Sequence, residues 1–281
     1  MTDKLIKKLN FITAGMPLRT EPKNYDCAFK VLEDMSLDGI ELEFVHGVRI
    51  SDNSQEVVKN AIKEKNMLVT AHGSYYINLN SKEEEKVEAS IVRILDTASM
   101  VHKLGGYSMT YHAAFYMGND KEAVFQKVKK QTDRIIEIAE RDGINVWIRP
   151  ETTGKVTQWG DLDEIIRLSK EYKQVLPCVD FSHLHARTGG AENTYDEFCR
   201  SLEKIGNGLG QFALDNFHGH LAGIAYSAKG EKNHLELENS DMNYKDLLKA
   251  LKEFNVKGAI VCESPNIEED CTLIKEYYLS I

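Results

Sequence analysis

The stretch NMLVTAHGSYYINLN, residues 66–80, is an apolar run that ends in a histidine, a glycine and two adjacent tyrosines. A short apolar run rich in β-forming residues predicts a buried strand, and a histidine followed by large aromatic surface is an odd way to end one. The segment that follows, KVEASIVRILDTASMVHKL (residues 86–104), has its apolar residues at helical spacing. Together they predict a strand followed by a helix, with polar chemistry where the strand ends.

The same unit recurs along the whole chain. Further β-rich apolar runs lie at residues 8–15, 39–45, 106–114, 145–154, 175–183, 217–224 and 258–264, and segments with helical spacing lie between them. Eight such units of about 35 residues each predict an α/β fold, a single (β/α)8 TIM barrel that spans residues 1–281 as one domain. A doubly wound open sheet is the alternative, but no glycine-rich phosphate turn follows the first run.

Composition limits the classes of protein and partner. The chain is 42% hydrophobic and 28% charged, and its formal net charge of −9 argues against a strongly basic nucleic-acid-binding coat. It has no apolar leader and no run of about 18 apolar residues, so we expect a cytoplasmic protein without membrane association. The five cysteines lack CxxC spacing, which predicts reduced thiols rather than disulfides or a thiolate zinc site. We also expect a monomer.

The runs share a feature at their carboxyl ends, which is where barrel enzymes build their active sites. Six successive runs end in residues of metal-ligand type, and a further histidine lies after the seventh run in residues 230–241, which we predict to be a polar loop. The set is His72, His112, Glu151, Asp180, His183, His220, His234 and Glu263. A lone histidine at a strand end is more often structural, but six coincidences favour a metal centre. His218 shares a strand face with His220, and we favour His220 as the ligand.

Imidazole and carboxylate groups without thiolates are ligands for Zn²⁺, with Mn²⁺ and Fe²⁺ as alternatives. Eight ligands are too many for one tetrahedral ion. The sequence therefore predicts two or three ions, with a carboxylate bridging between them.

Four motifs made of these residues resemble the endonuclease IV family, the type 2 AP endonucleases of the xylose-isomerase-like barrel superfamily. They are HGSYYINL (residues 72–79), PETTG (150–154), CVDFSH (178–183) and CESPN (262–266). The resemblance runs from about the second strand to residue 270. It implies a trinuclear zinc site, in which His72 and His112 bind one ion that Glu151 bridges to the next. The second ion then belongs to Asp180, His220 and Glu263, and the third to His183 and His234.

The resemblance also implies a substrate and a mechanism. The substrate is double-stranded DNA with abasic sites, cleaved 5′ to the lesion by a zinc-activated hydroxide during base excision repair. Tyr75 matches the tyrosine that enters the DNA beside the extruded nucleotide, where an aromatic ring can fill the gap.

One ligand position departs from the family. The family has an aspartate two residues before the last histidine, and Lys232 stands there in EKNH (residues 231–234). We hypothesise that its ammonium partly replaces the third ion electrostatically, which makes Glu151, Glu263 and Lys232 the predicted catalytic residues. Other changes, HAAF (112–115), ETTGKVTQWG (151–160) and HLAGIAY (220–226), fall at the barrel mouth.

The alternative function is a sugar or sugar-phosphate isomerase or epimerase of the same superfamily. Such an enzyme holds a single metal, here with Glu151, Asp180, His220 and Glu263. The acidic net charge and the altered mouth favour this alternative. The additional histidines favour the nuclease.

Overall fold

The computed structural model describes residues 6–281, in which strands and helices alternate. The strands are β1 (Leu9–Ala14), β2 (Gly39–Glu43), β3 (Leu68–His72), β4 (Ser108–Tyr111), β5 (Ala114–Phe115), β6 (Trp147–Pro150), β7 (Gln158–Trp159), β8 (Val179–Asp180), β9 (Phe217–Leu221), β10 (Gly223–Ser227), β11 (Gly230–Leu235) and β12 (Gly258–Cys262). The helices are α1 (Tyr25–Asp34), α2 (Asp52–Glu64), α3 (Glu84–Leu104), α4 (Lys121–Arg141), α5 (Leu162–Ser169), α6 (Phe181–Arg187), α7 (Tyr195–Leu209), α8 (Gln211–Asp215), α9 (Tyr244–Glu253) and α10 (Glu268–Ser280). A 3₁₀ turn lies at Leu237–Asn239.

Eight of the strands form one parallel sheet, in the order β6, β4, β3, β2, β1, β12, β9, β8. Parallel bridges from Ile148 to Val175 and from Glu151 to Cys178 join β6 to the segment that enters β8, and they close the sheet into a barrel. The predicted (β/α)8 fold is confirmed, and each of the eight predicted runs contains one barrel strand. Because the eight barrel strands are parallel, their carboxyl ends meet at one mouth of the barrel.

The helices surround the barrel and begin where the sequence offers caps. The Asp120 side chain accepts a hydrogen bond from the Ala123 backbone N–H at the start of α4, and Asp161 and Glu164 form a capping box on α5. Each long helix buries an apolar stripe against the sheet. No helix within residues 6–281 combines the length and the apolar character that a membrane span requires.

Two small antiparallel sheets, the β10–β11 hairpin and the β5–β7 pair, lie outside the barrel sheet. The segment of residues 230–241, which the sequence predicts to be a polar loop, contains β11. That prediction is wrong for this part because the strand is half-exposed and polar on both faces, so its sequence lacks the apolar alternation that identifies strands.

The interior of the barrel is more polar than a TIM barrel core usually is. Glu41 of β2 is fully buried there and accepts a hydrogen bond of 2.6 Å from the Thr70 hydroxyl on β3. The fully buried His218 and His220 project into the same space from β9. A polar layer therefore supports the mouth from below.

Candidate metal centre

The Glu151 carboxylate lies at the centre of the site and is 1% exposed. One of its oxygens lies 3.2 Å from His72 Nε2, and the other lies 3.1 Å from His112 Nε2, 3.3 Å from His183 Nδ1 and 3.6 Å from His220 Nδ1. The ends of four strands and the first turn of α6 supply these five residues. The barrel thus brings four imidazoles from distant parts of the chain to one carboxylate.

A second group of ligand atoms surrounds the same glutamate. One atom each from Glu151, Asp180, His220 and Glu263 lies within 4.8 Å of the others. The Nδ1 atom of His220 is 3.3 Å from Glu263 Oε1. A third group, equally compact, consists of Asp180, His183 and His234. All eight predicted ligands therefore lie in three adjoining groups, the other being His72, His112 and Glu151.

Backbone carbonyls orient two of the imidazoles. His72 Nδ1 lies 2.8 Å from the Gly73 carbonyl oxygen, and His183 Nδ1 lies 3.0 Å from that of Thr152. A carbonyl oxygen only accepts hydrogen bonds, so Nδ1 carries the proton in each ring. In the neutral imidazole the lone pair then lies on Nε2, which is the arrangement that orients a histidine for metal binding.

Several ligand-type atoms have no hydrogen-bond partner within the described residues. Four of them are buried and belong to predicted ligands, as Asp180 Oδ2, His220 Nδ1, His234 Nε2 and Glu263 Oε2, while Glu41 Oε1, His218 Nε2 and His220 Nε2 in the layer below also lack one. An unsatisfied buried polar atom is costly, and a divalent cation would satisfy all four. The donor set of imidazoles and carboxylates fits such a cation.

Charge coupling within the cluster shifts the pKa values strongly. Burial raises the pKa of Glu151, but His220 and His112 together hold it well below the usual glutamate range. Burial lowers the pKa of His72, but the hydrogen bond and charge of Glu151 raise it to about 10. Burial likewise lowers the pKa of His183, and Asp180 with Glu151 raises it to about 10. Protons and metal ions therefore compete for the same nitrogens.

Sequence reasoning missed the carboxylate behind the cluster, Glu41. Its two oxygens lie 3.1 Å from His220 Nε2 and 3.1 Å from His218 Nε2, while His218 Nδ1 is 2.8 Å from the Ser108 hydroxyl. His220 thus has one nitrogen toward the ligand cluster and the other toward Glu41, whereas the two nitrogens of His218 lie near Glu41 and Ser108. The signal was present in GIELE (residues 39–43), where alternation places both glutamates on the face opposite the apolar residues.

A cavity of about 380 Å³ opens above the cluster, within the size range of ligand pockets. Tyr75 and Lys155 line it, together with Glu231 of β11. Tyr75 and Tyr76 are 61% and 62% exposed, but only Tyr75 belongs to the lining, with its ring centroid 5.8 Å from that of His72.

Lys232 lies on β11, outside the lining of the cavity. Its side chain is exposed, and in residues 6–281 the cavity lining includes Glu231 and not Lys232. The family's motif points to Lys232, two residues before the last histidine, but β11 is irregular at this point and Glu231 lines the cavity instead.

Comparison with known proteins agrees with the barrel fold. The family model described as xylose isomerase-like TIM barrel matches residues 29–277. The chain belongs to this family. Among curated members, an uncharacterized protein of Methanocaldococcus jannaschii is 42% identical over 96% of this chain and 97% of its own length. An apurinic-apyrimidinic endonuclease of Caenorhabditis elegans is 29% identical over 54% of this chain and 41% of its own length.

Solved structures of an epimerase-like protein and of an endonuclease both superpose on the chain. A D-tagatose 3-epimerase-like protein has 18% identity and a TM-score of 0.73, covering 96% of this chain and 97% of its own. Endonuclease IV from Thermus thermophilus has 16% identity and a TM-score of 0.70, covering 97% of this chain and 99% of its own. At these identities the likeness shows the fold alone, so the choice of function depends on the site.

Proposed function

We propose that the protein is a metal-dependent phosphodiesterase that cleaves double-stranded DNA 5′ to abasic sites. The observation that carries this proposal is the convergence of four imidazoles on Glu151. A single ion with four ligands has no use for so many nitrogens, whereas neighbouring ions that share one carboxylate require them. The curated relative from Caenorhabditis elegans, an apurinic-apyrimidinic endonuclease, supports the same class.

The three ligand groups suggest how ions would be held. His72 and His112 would hold one ion and Asp180, His220 and Glu263 a second, with Glu151 shared between them. We expect zinc, with Mn²⁺ or Fe²⁺ as alternatives, because the donors are nitrogen and carboxylate oxygen. When bound, the ions would supply Lewis-acid activation of water and of the scissile phosphate.

The chain's own residues would position the substrate. Tyr75, at the cavity rim beside His72, would occupy the gap left in the duplex by the extruded nucleotide. Lys155 lines the cavity and would neutralise a substrate phosphate. Glu41 would hold the ring of His220, so that its Nδ1 keeps facing the reacting groups.

A specific observation also favours a second candidate, a single-metal sugar epimerase. Glu151, Asp180, His220 and Glu263 form a four-ligand group by themselves, and the cavity of about 380 Å³ suits a small polar ligand. The D-tagatose 3-epimerase-like structure shares the fold. In this function His72 and His112 would have no ligand role.

The test is incision of a duplex that carries one abasic site, with the undamaged duplex as the control. We expect metal-dependent incision that Tyr75→Ala reduces about tenfold or more, since base-aromatic stacking is worth about 1–3 kcal/mol. Tyr76→Ala is the matched control, because that side chain is equally exposed and outside the cavity lining. Metal-dependent exchange of a ketose carbon-bound hydrogen with solvent deuterium, without incision, would establish the epimerase instead.

A further inference from the structure

The β10–β11 hairpin contains an irregularity that decides which side chain of β11 faces the cluster. His234 pairs with Ile224 and Asn233 with Ala225, but the next pair is Glu231 with Tyr226. Lys232 is thereby left without a partner, which is the pattern of a β-bulge.

The bulge changes which face of the hairpin the β11 residues before it point to. Residues directly opposite each other in an antiparallel pair point to the same face, and so do alternate residues of one strand. Ile224 and Tyr226 are alternate residues of β10, so their partners His234 and Glu231 share a face. In a regular strand Lys232 would have shared that face with His234. The bulge replaces a cation there with a carboxylate.

Close packing fixes the position of this carboxylate. The Glu231 backbone N–H donates a 2.9 Å hydrogen bond to the Gly154 carbonyl. A Cβ atom on Gly154 would lie 2.6 Å from Glu231 Oε2 and 3.0 Å from His183 Cδ2, so the absence of a side chain there makes room for both groups. Glu231 is only 19% exposed as a result.

Two atoms of metal-ligand type face each other across this space. Glu231 Oε2 lies 3.5 Å from His183 Nε2, the nitrogen that bears the lone pair when the Thr152 carbonyl holds the proton on Nδ1. The ring centroids of His183 and His234 are 5.7 Å apart, and His234 Nε2 is buried without a hydrogen-bond partner in residues 6–281. The separation of 3.5 Å between Glu231 Oε2 and His183 Nε2 suits one cation that is bound to both atoms at about 2.0–2.1 Å.

We infer that Glu231 is a ligand of a third divalent ion, which it holds together with His183 and His234. The inference deepens the proposed function and rests on its multinuclear centre. Lys232 then stays outside the site, on the outer side of the bulge.

The experiment is a metal count by elemental analysis for the wild type and three variants, after the full chain is saturated with Zn²⁺ and dialysed free of unbound metal. We expect three ions in the wild type, two in Glu231→Gln, two in His234→Gln and three in the matched control Lys232→Met. A Co²⁺ titration followed by its visible absorption gives the same count without prolonged dialysis, and it covers a variant that is recovered in low yield.

Two ions in the wild type, or three ions retained in Glu231→Gln, would overturn the inference. The count does not depend on catalysis, so its failure is distinguishable from failure of the proposed function. Three ions without incision of abasic DNA would keep the Glu231 site and remove the nuclease. Incision of abasic DNA, with as many ions bound by Glu231→Gln as by the wild type, would keep the nuclease and remove the Glu231 site.

Discussion

Most of the candidate ligand set lies at the ends of barrel strands, but one edge of it lies on a hairpin outside the barrel. We call the first part the barrel half, made of His72, His112, Glu151, Asp180, His220 and Glu263. The second part, the hairpin half, is Glu231 and His234 of β11 facing His183 of α6. The barrel half is held by a closed parallel sheet, and the hairpin half by a two-stranded ribbon docked on the loop at Gly154.

This difference indicates which part can vary without loss of the other. A two-stranded ribbon is only marginally stable by itself, so the hairpin half depends on its contacts with the barrel loops. The barrel half depends on the whole fold. Changes on the hairpin should alter one ion and the substrate preference, whereas changes in the barrel half should abolish the centre.

The largest effect is expected for Glu151→Gln in the barrel half. The amide would keep the shape of the side chain but remove the charge that several imidazoles share. We expect incision to fall by about 10³-fold or more, as when a group that stabilises charge in the reaction is lost. Single-turnover incision measures this loss, and thermal unfolding is the control for the fold. Retention of more than about a tenth of the activity would remove Glu151 from the centre.

Metal uptake should depend steeply on pH because protons occupy the ligand nitrogens. The pKa values of His72 and His183 are each raised to about 10, so both rings are protonated at pH 7 and must release a proton to bind an ion. Apparent Zn²⁺ affinity should therefore rise with pH, by up to about tenfold per pH unit for each proton released. Calorimetry at pH 6 to 8 in buffers of different ionisation enthalpy counts the protons. Affinity that is flat or falls with pH would contradict this charge state.

Gly230→Ala should separate the two halves. Gly230 has a φ of +93° and a Cβ there would lie 2.3 Å from the Gly154 carbonyl oxygen, so alanine would push the hairpin off its loop. Gly47→Ala is the matched control, since Gly47 has a φ of +103° with no atom within 4 Å of an added Cβ. Both alanine variants carry about 1 kcal/mol of backbone strain, because alanine is disfavoured at a positive φ.

We expect only Gly230→Ala to weaken the binding of one ion, about tenfold, while the other ions bind as before. A stepwise metal titration of both variants measures this. Equal behaviour of the two would show that hairpin docking does not hold the third ion.

The smallest effect is expected for Lys155→Met. The methionine keeps the length of the side chain and removes the charge that would meet a substrate phosphate, so KM should rise about five- to tenfold with kcat and metal content unchanged. Lys229→Met, on the exposed hairpin turn outside the lining, is the control. A change in kcat alone would assign Lys155 to the chemical step rather than to binding.

The sequence could predict the barrel half because a parallel barrel leaves little freedom. Once eight strand runs are recognised, a residue such as His72 or Glu151 at the end of a run must lie at the mouth. Glu41 lies in the middle of its strand, and the alternation in GIELE (residues 39–43) is the signal that places it inside the barrel.

The sequence could not predict that Glu231, rather than Lys232, lines the cavity. The facing of β11 depends on a bulge whose position is set by contacts with Gly154 and β10, and linear spacing carries no record of those contacts.

The most direct test of the proposed function is incision of a duplex with one abasic site, measured as Zn²⁺ is returned stepwise to chelated protein. A multinuclear phosphodiesterase predicts little incision at one equivalent, a steep rise as the second equivalent binds, and full reversal by chelator. No incision at three equivalents, or full incision at one, would contradict it.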